Sequence, residues 1–426
     1  MTRIGFAYNQ KPVEDAESIE HDAIERPDEE PPSSRRDTES RSAASPVPAG
    51  AALASALPTN DQFAEWDAPA TIEAVESALS ALGDVVRLEA TADFPERLRH
   101  ARPDIVFNIA EGLHGVNREA HVPAICEFYR IPYSGSDPFT LSLCLDKART
   151  KETLAFHQIP TAPFALVRSM TDYRRLEKTI ARRSRSLARS RSRRALSLPL
   201  FAKPVHEGSS KGITEKNLCR TFAELEEQVG YLLQTYEQPV LIEEFLTGAE
   251  FTCAVLGNAA NAQVLPIVSI NFDALPEGAV PIYGYEAKWL WDRPENPLDM
   301  FACPAPITES LRAEIVAVTL DAYRVLGCRD WSRIDVRLDV TGRPNVVEVN
   351  PLPGILPDPA DNSCFPKAAR VAGMSYDELI QACLIAAANR QSVSLPSSAT
   401  RARASHATSV AGTEVSSRRV RHAVAG

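Results

Sequence analysis

The stretch RIDVRLDVTGRPNVVEVNPLPG, residues 333–354, predicts a β-hairpin in which polar residues interrupt an apolar pattern. Valine and leucine recur along both arms, and Thr341-Gly342 between the arms is typical of a tight turn. A two-residue loop at that position places Asp335 directly opposite Glu348. The sequence therefore brings two carboxylates together in a strand pair that otherwise has the composition of a buried hairpin.

The same register places Arg333 opposite Asn350, and strand alternation puts both on the face that carries Asp335 and Glu348. Two opposed carboxylates repel each other unless a cation lies between them. Oxygen atoms from Asp, Glu and Asn suit Mg²⁺, with phosphate and water completing its octahedron. A neighbouring arginine suits a phosphate or a developing anion. The pattern thus predicts a metal site beside a phosphate.

The alternative interpretation is an edge hairpin with a solvated polar face. In that case Arg337 and Asp339 continue the polar stripe toward the turn, where both side chains would be exposed. Spacing alone favours the metal site but leaves both interpretations open.

Two upstream segments carry further groups suited to a nucleotide. KPVHEGSSKGI, residues 203–213, contains a Gly/Ser loop whose small residues let backbone N–H groups approach an anion. This loop lacks Walker A spacing, so Lys203 at the end of the preceding apolar strand is the stronger candidate for a phosphate ligand. In VLIEEFLTGAEFT, residues 240–252, Glu243 and Glu244 end an apolar strand that could hydrogen-bond adenine and ribose.

Composition limits the class of protein. The chain has 426 residues, 44% hydrophobic and 24% charged, as expected for a soluble globular protein. A formal net charge of −10 argues against a general nucleic-acid binder, so no nucleic-acid partner is expected. No apolar run reaches the roughly 18 residues of a membrane span, so no membrane partner is expected either. Eight scattered cysteines without a CxxC pair predict buried free thiols and a cytoplasmic location.

Three segments stand apart from the ordered pattern. Residues 9–62 are rich in acid, Ser and Pro and are predicted to be disordered, because they cannot bury enough apolar surface. The tail at 390–426 is predicted to be disordered as well. The Arg/Ser-rich segment 174–197 is interpreted as a surface insertion or helix extension, with an RNA or acidic-partner patch as the alternative. Elsewhere, alternation of strands and helices predicts an N-terminal α/β domain with a parallel sheet.

Six segments in order, LDKARTK, KPVHEGSSKG, LIEEFLTGAEFT, YEAKWL, RIDVRLD and VEVNPLPG, resemble the motifs of the D-alanine–D-alanine ligases of the ATP-grasp superfamily. The resemblance covers about residues 103–389. It implies an α/β protein, α+β in the ATP-grasp part, in which an N-terminal parallel-sheet domain precedes a two-domain ATP-grasp fold. The expected boundaries are 1–8 for the first strand, 9–62 for the insertion, 63–135 for the N-terminal domain, 136–240 for the central lid domain, 241–389 for the C-terminal catalytic domain and 390–426 for the tail.

By motif position the resemblance also assigns roles to individual residues. The nucleotide ligands it implies are Lys147, Lys203, Ser209, Ser210, Glu243, Glu244, Leu246, Glu250 and Lys288. The metal ligands it implies are Asp335, Glu348 and Asn350. The catalytic groups it implies are Arg333, which steadies a tetrahedral intermediate, Ser209 in the phosphate-covering loop, and Gly354, whose backbone N–H acts as an oxyanion donor.

The implied reaction is an ATP-dependent ligation of a carboxylate to an amine. One substrate's carboxylate takes the γ-phosphate to give an acyl phosphate and ADP, and the amine of a second substrate then displaces phosphate. The implied cofactors are ATP and two Mg²⁺ ions, with Mn²⁺ as an alternative metal. The substrates are expected to be small and amino-acid-like, peptidoglycan precursor synthesis is one candidate role, and a homodimer is one candidate assembly.

Three departures from the family pattern leave the substrates open. The nearest candidate for the early acidic residue that holds the first substrate's amino group is Glu14. Trp289 replaces a tyrosine that bonds the loop serine in the family, and the chain directly after Gly354 lacks the Ser-Leu pair that grips the second carboxylate. A ligase for another amino-acid or hydroxy-acid pair and a non-ligating ATP-binding regulatory protein are therefore the alternatives.

The segment IAEGLHGVNREAHVP, residues 109–123, is predicted to line the substrate side. Its His114, Arg118, Glu119 and His121 are candidates for binding a carboxylate or an amine. Ordinary loop and helix-start residues are an equally favoured interpretation.

Overall fold

The computed structural model describes residues 2–12, 63–186, 196–284, 286–291 and 298–396. Most of the predicted insertion at 9–62 and of the predicted tail at 390–426 lies outside these ranges, as does the middle of the Arg/Ser-rich segment 174–197. The side chains of Lys288 and Trp289 and the whole of Glu14 are also outside the described part, so their expected roles stay predictions.

The N-terminal sheet is parallel. It contains β1 (Arg3–Tyr8), β2 (Asp84–Glu89) and β3 (Ile105–Asn108) in the order β2-β1-β3. Helices α1 (Pro69–Ser80), α2 (Phe94–Ala101) and α3 (His121–Tyr129) alternate with or follow these strands. The central strand β1 is buried from its second residue onward, as expected for a parallel strand that is covered on both faces. The predicted N-terminal α/β domain with a parallel sheet is confirmed.

A second, four-stranded sheet is antiparallel and has the order β4-β7-β5-β6. Its strands are β4 (Phe164–Val167), β5 (Leu200–Pro204), β6 (Leu218–Cys219) and β7 (Val240–Glu244). Helices α4 (Pro138–Leu145) and α5 (Lys147–Phe156) precede it, and α6 (Met170–Ser186) and α7 (Phe222–Tyr236) pack on it. Strand β7 crosses the expected boundary at residue 240 and, through its pairing with β4 and β5, completes this sheet.

The third sheet carries the polar hairpin. Its strands are β8 (Glu250–Leu256), β9 (Gln263–Val264), β10 (Val268–Ile270), β11 (Phe301–Ala302), β12 (Trp331–Leu338) and β13 (Pro344–Asn350), in the order β11-β10-β8-β12-β13 with β9 on β8. Helices α8 (Glu309–Val325), α9 (Cys364–Val371) and α10 (Tyr376–Arg390) pack against it. All the pairings in this sheet are antiparallel.

The hairpin register agrees with the prediction at one end and differs at the other. Asp335 lies opposite Glu348 and Arg333 opposite Asn350, as predicted. The predicted two-residue loop is wrong, because β12 ends at Leu338 and β13 begins at Pro344. A β-bulge after Asp335 shifts the pairing by one residue, so the longer turn still delivers the predicted opposition.

The parallel sheet and the third sheet share one hydrophobic core. Trp331 at the start of β12 is fully buried, with its ring centre 5.8 Å from that of Phe107 and 5.7 Å from that of Phe365. The buried carboxylate of Asp330 accepts hydrogen bonds from Arg390 at 2.8 and 3.0 Å. These contacts join strands from two sheets to the last helix. None of the described helices combines the length and apolarity needed to cross a membrane.

Candidate active site

A cavity of about 290 Å³ lies between the four-stranded sheet and the third sheet. One sheet contributes the charged residues Lys203, Glu243 and Glu244, and the other contributes Glu250, Asp335 and Glu348. Apolar side chains, among them Phe201, Leu246, Ile282 and Phe301, form much of the remaining wall. Apolar walls with a few convergent polar groups are typical of a small-molecule site, and this volume is near the lower end for such sites.

The polar residues of the hairpin meet at this cavity. Thr252 Oγ1 donates to Asp335 Oδ1 at 2.9 Å, and Arg333 Nη2 donates to Asp335 Oδ2 at 3.1 Å. Asn350 Nδ2 lies 3.4 Å from the same Oδ2. Asp335 and Glu348 both line the cavity, so the hairpin presents an oxygen-rich face to it. The predicted convergence of these four side chains is confirmed.

The donor set fits the predicted metal. Among the described residues there is no group of three His, Cys, Asp or Glu side chains placed to hold a metal ion. The hairpin offers two carboxylates and one amide, which is less than a closed protein cage. Mg²⁺ commonly takes one or two carboxylates and leaves its other positions to water and phosphate. The set therefore suits a metal that arrives with a nucleotide.

Three lysines neutralise two of the carboxylates that line the cavity. Lys147 Nζ lies 2.7 Å from Glu348 Oε1, while Glu243 lies 2.7 Å from Lys203 and 2.8 Å from Lys151. Burial alone would raise the pKa of Glu348 and Glu243, yet the neighbouring lysines lower both to about 2. Both carboxylates are therefore ionised at neutral pH, and every lysine in this set has a carboxylate partner.

Arg337 belongs to the cavity as well. Its Nη1 donates to Glu250 Oε2 at 2.8 Å, and its guanidinium carbon lies 4.6 Å from the ring centre of Phe245. Burial raises the pKa of Glu250, with Arg337 acting in the opposite direction. The expectation that Arg337 would be exposed on a solvated face is wrong. Of Arg337 and Asp339, only Asp339 lies at the turn, where it accepts hydrogen bonds from Thr341.

The segment predicted to bind the base and ribose ends at the cavity. Glu244 and Leu246 line it, while Glu243 next to them is occupied by its two lysines. Burial is the main reason why the pKa of Glu244 is raised, and nearby Asp339 adds to it. Glu244 is thus the carboxylate of this pair with free hydrogen-bonding capacity in the described structure.

The Gly/Ser loop lines the larger cavity with Gly208, Ser209 and Ser210. Ser209 and Ser210 have φ values of +48° and +61°, and Gly212 has +70°, so three of five consecutive residues adopt left-handed conformations. Ser210 Oγ donates to the carbonyl oxygen of Tyr283 at 3.1 Å, which ties the loop to the third-sheet side. Such a run of strained residues brings backbone N–H groups to one side, as in anion-binding nests.

A second, smaller cavity of about 80 Å³ adjoins the first and shares Gly208, Ser209, Arg333, Glu348 and Gly354 with it. Its additional charged lining consists of Glu65, Glu111, Glu119 and Lys147. Gly354 and Arg333, the two predicted catalytic groups of the C-terminal part, therefore lie between the two cavities. The smaller cavity is strongly acidic.

Glu65 fastens the Gly/Ser loop to the N-terminal part. Its Oε1 accepts from the backbone N–H of Gly208 at 2.9 Å, and its Oε2 lies 3.0 Å from Lys211 Nζ and 3.2 Å from Arg118 Nη2. Glu207 contacts the same Lys211 and Arg118, at 2.7 and 3.7 Å. Burial raises the pKa of Glu65, but the two cations outweigh it and the net shift is downward. These two acids and two bases form a neutral cluster.

Glu111 and Glu119 differ from Glu65 in having no such partners. Neither side chain forms an ion pair or a hydrogen bond with any residue in the described part of the chain. Burial is the main reason why the pKa of Glu119 rises to about 7, and nearby Glu65 adds to it. Burial followed by repulsion from Glu119 raises the pKa of Glu111 well above its ordinary range.

The structure separates the four candidates from residues 109–123. Glu119 lines the smaller cavity, and Arg118 is buried against Glu65. His114 and His121 are exposed and do not line either cavity. From this segment the acidic residues Glu111 and Glu119 line a cavity and the two histidines do not, and the substrate-side role of the segment stays a prediction.

The chain after Gly354 returns to the cavity at a later point. The first residues after it provide no Ser-Leu pair, but Ser363 and Cys364 line the larger cavity at the start of α9. Ser363 Oγ donates to the carbonyl oxygen of Gly354 at 3.3 Å and accepts from the backbone N–H of Leu356 at 3.2 Å. A serine is therefore present beside Gly354, held by the backbone of the intervening segment.

Several site residues were missed from the sequence. Lys151 had a signal, because it follows Lys147 by four residues on α5 and so shares its face. Lys211 stands inside the loop motif. Glu65 lies in an unremarkable stretch beyond the long insertion, and Glu111 lies in a polar loop, so nothing in the local pattern marks either one.

Comparisons with known proteins point to one family. The family model of the D-alanine–D-alanine ligase C-terminus matches residues 158–385. A D-alanine–D-alanine ligase of Actinobacillus pleuropneumoniae is 35% identical over 312 residues, covering 73% of this chain and 90% of that protein. The corresponding enzyme of Bordetella avium is 34% identical over 64% of this chain and 75% of its own length. A Sinorhizobium fredii protein described as uncharacterised, y4sG, is 34% identical over 67% of this chain and 75% of its own.

Solved structures agree in fold. The D-alanine–D-alanine ligase of Bacillus anthracis complexed with ATP has a TM-score of 0.58, covers 92% of this chain and 99% of its own, and is 17% identical. At this identity the likeness concerns the fold, and it confirms the predicted combination of a parallel-sheet domain with an ATP-grasp fold. Together with the family model and the relatives, it shows that the chain belongs to the D-alanine–D-alanine ligase family of ATP-grasp ligases.

Proposed function

We propose that this protein uses ATP to join the carboxylate of one small, amino-acid-like substrate to the amine of a second, with release of ADP and phosphate. The observation that carries the proposal is the contact of 2.7 Å between Lys147, which lines the smaller cavity, and Glu348, which lines both. A lysine expected to bind phosphate there touches a carboxylate expected to bind metal. Such a pair is suited to receive a metal-bound nucleotide in place of the direct ion pair.

The nucleotide is proposed to lie in the larger cavity. The base would contact Leu246 and the apolar wall, with Glu244 near the ribose. Lys147 and Lys203 would neutralise the phosphates, and Lys151 holds Glu243 so that Lys203 stays in place. Glu250 is held by Arg337, which makes it a positioning group for the cavity wall in this proposal. Lys288 keeps its expected role as a further phosphate ligand.

Asp335, Glu348 and Asn350 are the proposed metal ligands. Two Mg²⁺ ions, or Mn²⁺ in their place, would neutralise the phosphate charge that otherwise repels an incoming carboxylate. The residues themselves position that charge, because Asp335 is fixed by Thr252 and Arg333 through hydrogen bonds of 2.9 and 3.1 Å.

The reacting groups are proposed to meet between the two cavities. Arg333 and Gly354 line both of them, where a guanidinium and a backbone N–H would stabilise the oxyanion of the tetrahedral intermediate. Ser209 and Ser210 in the covering loop would exclude water from the acyl phosphate, and Ser209 faces both cavities. The Glu65 cluster would hold this loop down on the N-terminal part.

Some finer predictions accompany this proposal. The expected division at residues 63–135, 136–240 and 241–389 stays a prediction, except that the four-stranded sheet extends through β7 to Glu244. A cytoplasmic location is supported by eight cysteines that are all free thiols, six of them buried. The homodimer and the role in peptidoglycan precursor synthesis remain expectations of the resemblance.

The test is phosphate and ADP release from ATP with pairs of amino acids and hydroxy acids, for the unmodified protein and for Glu348→Gln. We expect turnover that requires both a substrate pair and a divalent metal, and we expect Glu348→Gln to abolish it. Glu73→Gln, an exposed site on α1, is the matched control and should retain full activity. ATP binding without turnover across a broad panel of pairs would instead support the non-ligating alternative.

A further inference from the structure

The charges around the smaller cavity do not balance. Its lining contains the carboxylates of Glu65, Glu111, Glu119 and Glu348 against the cations of Lys147 and Arg333. Lys147 forms an ion pair with Glu348 at 2.7 Å, and Arg333 forms one with Asp335 at 3.1 Å. Neither cation is therefore left for the remaining acids.

The negative charge of Glu65 is already balanced by its neighbours. Its two oxygens are engaged by Gly208, Arg118 and Lys211, and Lys211 and Arg118 also serve Glu207. A substrate ammonium group that took Glu65 would have to displace one of these contacts and release the Gly/Ser loop. Glu65 is thus better suited to anchor the loop than to bind a substrate.

Glu111 and Glu119 are the two acids with unused capacity. Both are only partly accessible, both line the smaller cavity together with Arg333 and Gly354, and neither has a protein partner among the described residues. Partly buried carboxylates without hydrogen bonds are costly and are usually compensated. Each retains room for one cationic hydrogen-bond donor.

We infer that the substrate whose carboxylate is activated carries two amino groups, and that Glu111 and Glu119 select it by binding one ammonium group each. This rests on the proposed ligase function, since the carboxylate of the same molecule must lie near Arg333 and Gly354. A simple amino acid such as alanine brings one ammonium group and leaves one of the two acids unpartnered. A short diamino acid satisfies both, and about 80 Å³ has space for few atoms beyond its backbone.

The raised pKa values of the two acids agree with this assignment. Glu111 is raised by burial and then by Glu119, Glu65 and Asp67, with Arg118 opposing. Glu119 is raised by burial, Glu65 and Glu348, with Arg118 and Lys147 opposing. In both cases burial is the largest cause and a neighbouring acid is the next, so a dication would relieve repulsion that a neutral ligand leaves in place.

The experiment compares 2,3-diaminopropionate with alanine, each as both enantiomers, as the activated substrate with alanine as the amine donor. For the unmodified protein we expect kcat/KM for ADP formation to be about 100-fold higher with diaminopropionate, because a site built for a hydrogen-bonding group rejects the analogue lacking it. Glu111→Gln and Glu119→Gln should each reduce this ratio at least 10-fold. Glu73→Gln, exposed on α1, should leave the ratio unchanged.

Calorimetric binding of diaminopropionate and alanine to the same four proteins separates this inference from the ligase proposal. Diaminopropionate binding that is weakened at least 10-fold by either variant, without any turnover, would support recognition of two ammonium groups by Glu111 and Glu119 but contradict the ligase function. Turnover with alanine that equals or exceeds turnover with diaminopropionate would overturn the inference and leave the ligase function standing. A ratio that neither variant changes would overturn it too. Both variants remove charge from a repulsive group, so thermal unfolding should show them at least as stable as the unmodified protein.

Discussion

Two groups of carboxylates around the adjoining cavities have opposite surroundings. In the larger cavity Glu243 and Glu348 each touch a lysine within 2.8 Å, and both pKa values lie at about 2. In the smaller cavity Glu111 and Glu119 have no partner among the described residues, and the pKa of Glu119 is about 7. The paired acids Glu243 and Glu348 are thus arranged in advance for a charged ligand, while Glu111 and Glu119 are left for a ligand to complete.

This difference follows from the secondary-structure elements on which the acids and their partners lie. The paired acids of the larger cavity stand on strands β7 and β13, and their lysines stand on β5 and α5, so regular elements fix both partners. Glu111 lies in a loop, and Glu119 lies in a single helical turn at 118–120. A family can keep the first set for a constant nucleotide and change the second set for a different substrate without disturbing a sheet.

The largest expected effect comes from the larger cavity. Asp335→Asn should lower kcat/KM for ATP-dependent phosphate release by about 1,000-fold, because it removes a charge that positions the phosphates in the transition state. Steady-state assays at saturating Mg²⁺ measure this. Asp321→Asn, an exposed site on α8, is the matched control and should behave like the unmodified protein. A loss below about 10-fold would contradict the metal role of the hairpin.

Removal of a paired acid should cost stability. Glu243→Gln leaves Lys151 and Lys203 buried without their shared carboxylate, and we expect a loss of about 3 kcal/mol at pH 7. Because the folded pKa of Glu243 is below the unfolded value, its contribution is present above about pH 4.5 and is lost as pH falls toward 2. Urea unfolding at pH 7 and pH 3 measures both effects, with exposed Glu227→Gln on α7 as the control. An equal stability loss at both pH values would contradict the pairing.

Removal of an unpaired acid should instead increase stability. The folded pKa of Glu119 is about 7, above its unfolded value, so the protonated form is favoured in the folded state. Stability is then fully retained below about pH 4.5 and falls as pH rises through 7. Glu119→Gln should therefore be more stable than the unmodified protein by about 2 kcal/mol at pH 8, with little difference at pH 4.5. Urea unfolding at the two pH values checks this, and a variant less stable at pH 8 would break the contrast between the cavities.

The same contrast explains what the sequence could predict. The face shared by Asp335 and Glu348 was predictable, because strand alternation is a local rule and acts over a few residues. The length of the turn was not predictable. The bulge after Asp335 compensates for the extra loop residues, and no sequence pattern indicates this bulge. The motif residues of the larger cavity could be located because the six family motifs follow one another in a fixed order along the chain.

Glu65 and Glu111 could not be located in this way. Between β1 and Glu65 lies the long acidic insertion, which removes any spacing by which Glu65 could be related to the first strand. Its role depends on contacts with Arg118 and Lys211, which are 53 and 146 residues away in sequence. Only the packing of the loop onto the N-terminal part brings these charges together, and no local pattern encodes that packing.

The smallest expected effect tests the boundary between the two cavities. Lys211 lies 3.0 Å from Glu65 and 2.7 Å from Glu207, so it ties the Gly/Ser loop to the acid that lies beside the smaller cavity. Lys211→Met should raise the KM for ATP about 5-fold, roughly 1 kcal/mol, because Arg118 still holds both acids and only part of the anchor is lost. Lys211→Arg should restore most of the affinity, whereas exposed Lys216→Met should change nothing. If Lys211→Met altered the diaminopropionate preference but not the KM for ATP, then the cluster would belong to the substrate side rather than to the loop that covers the nucleotide.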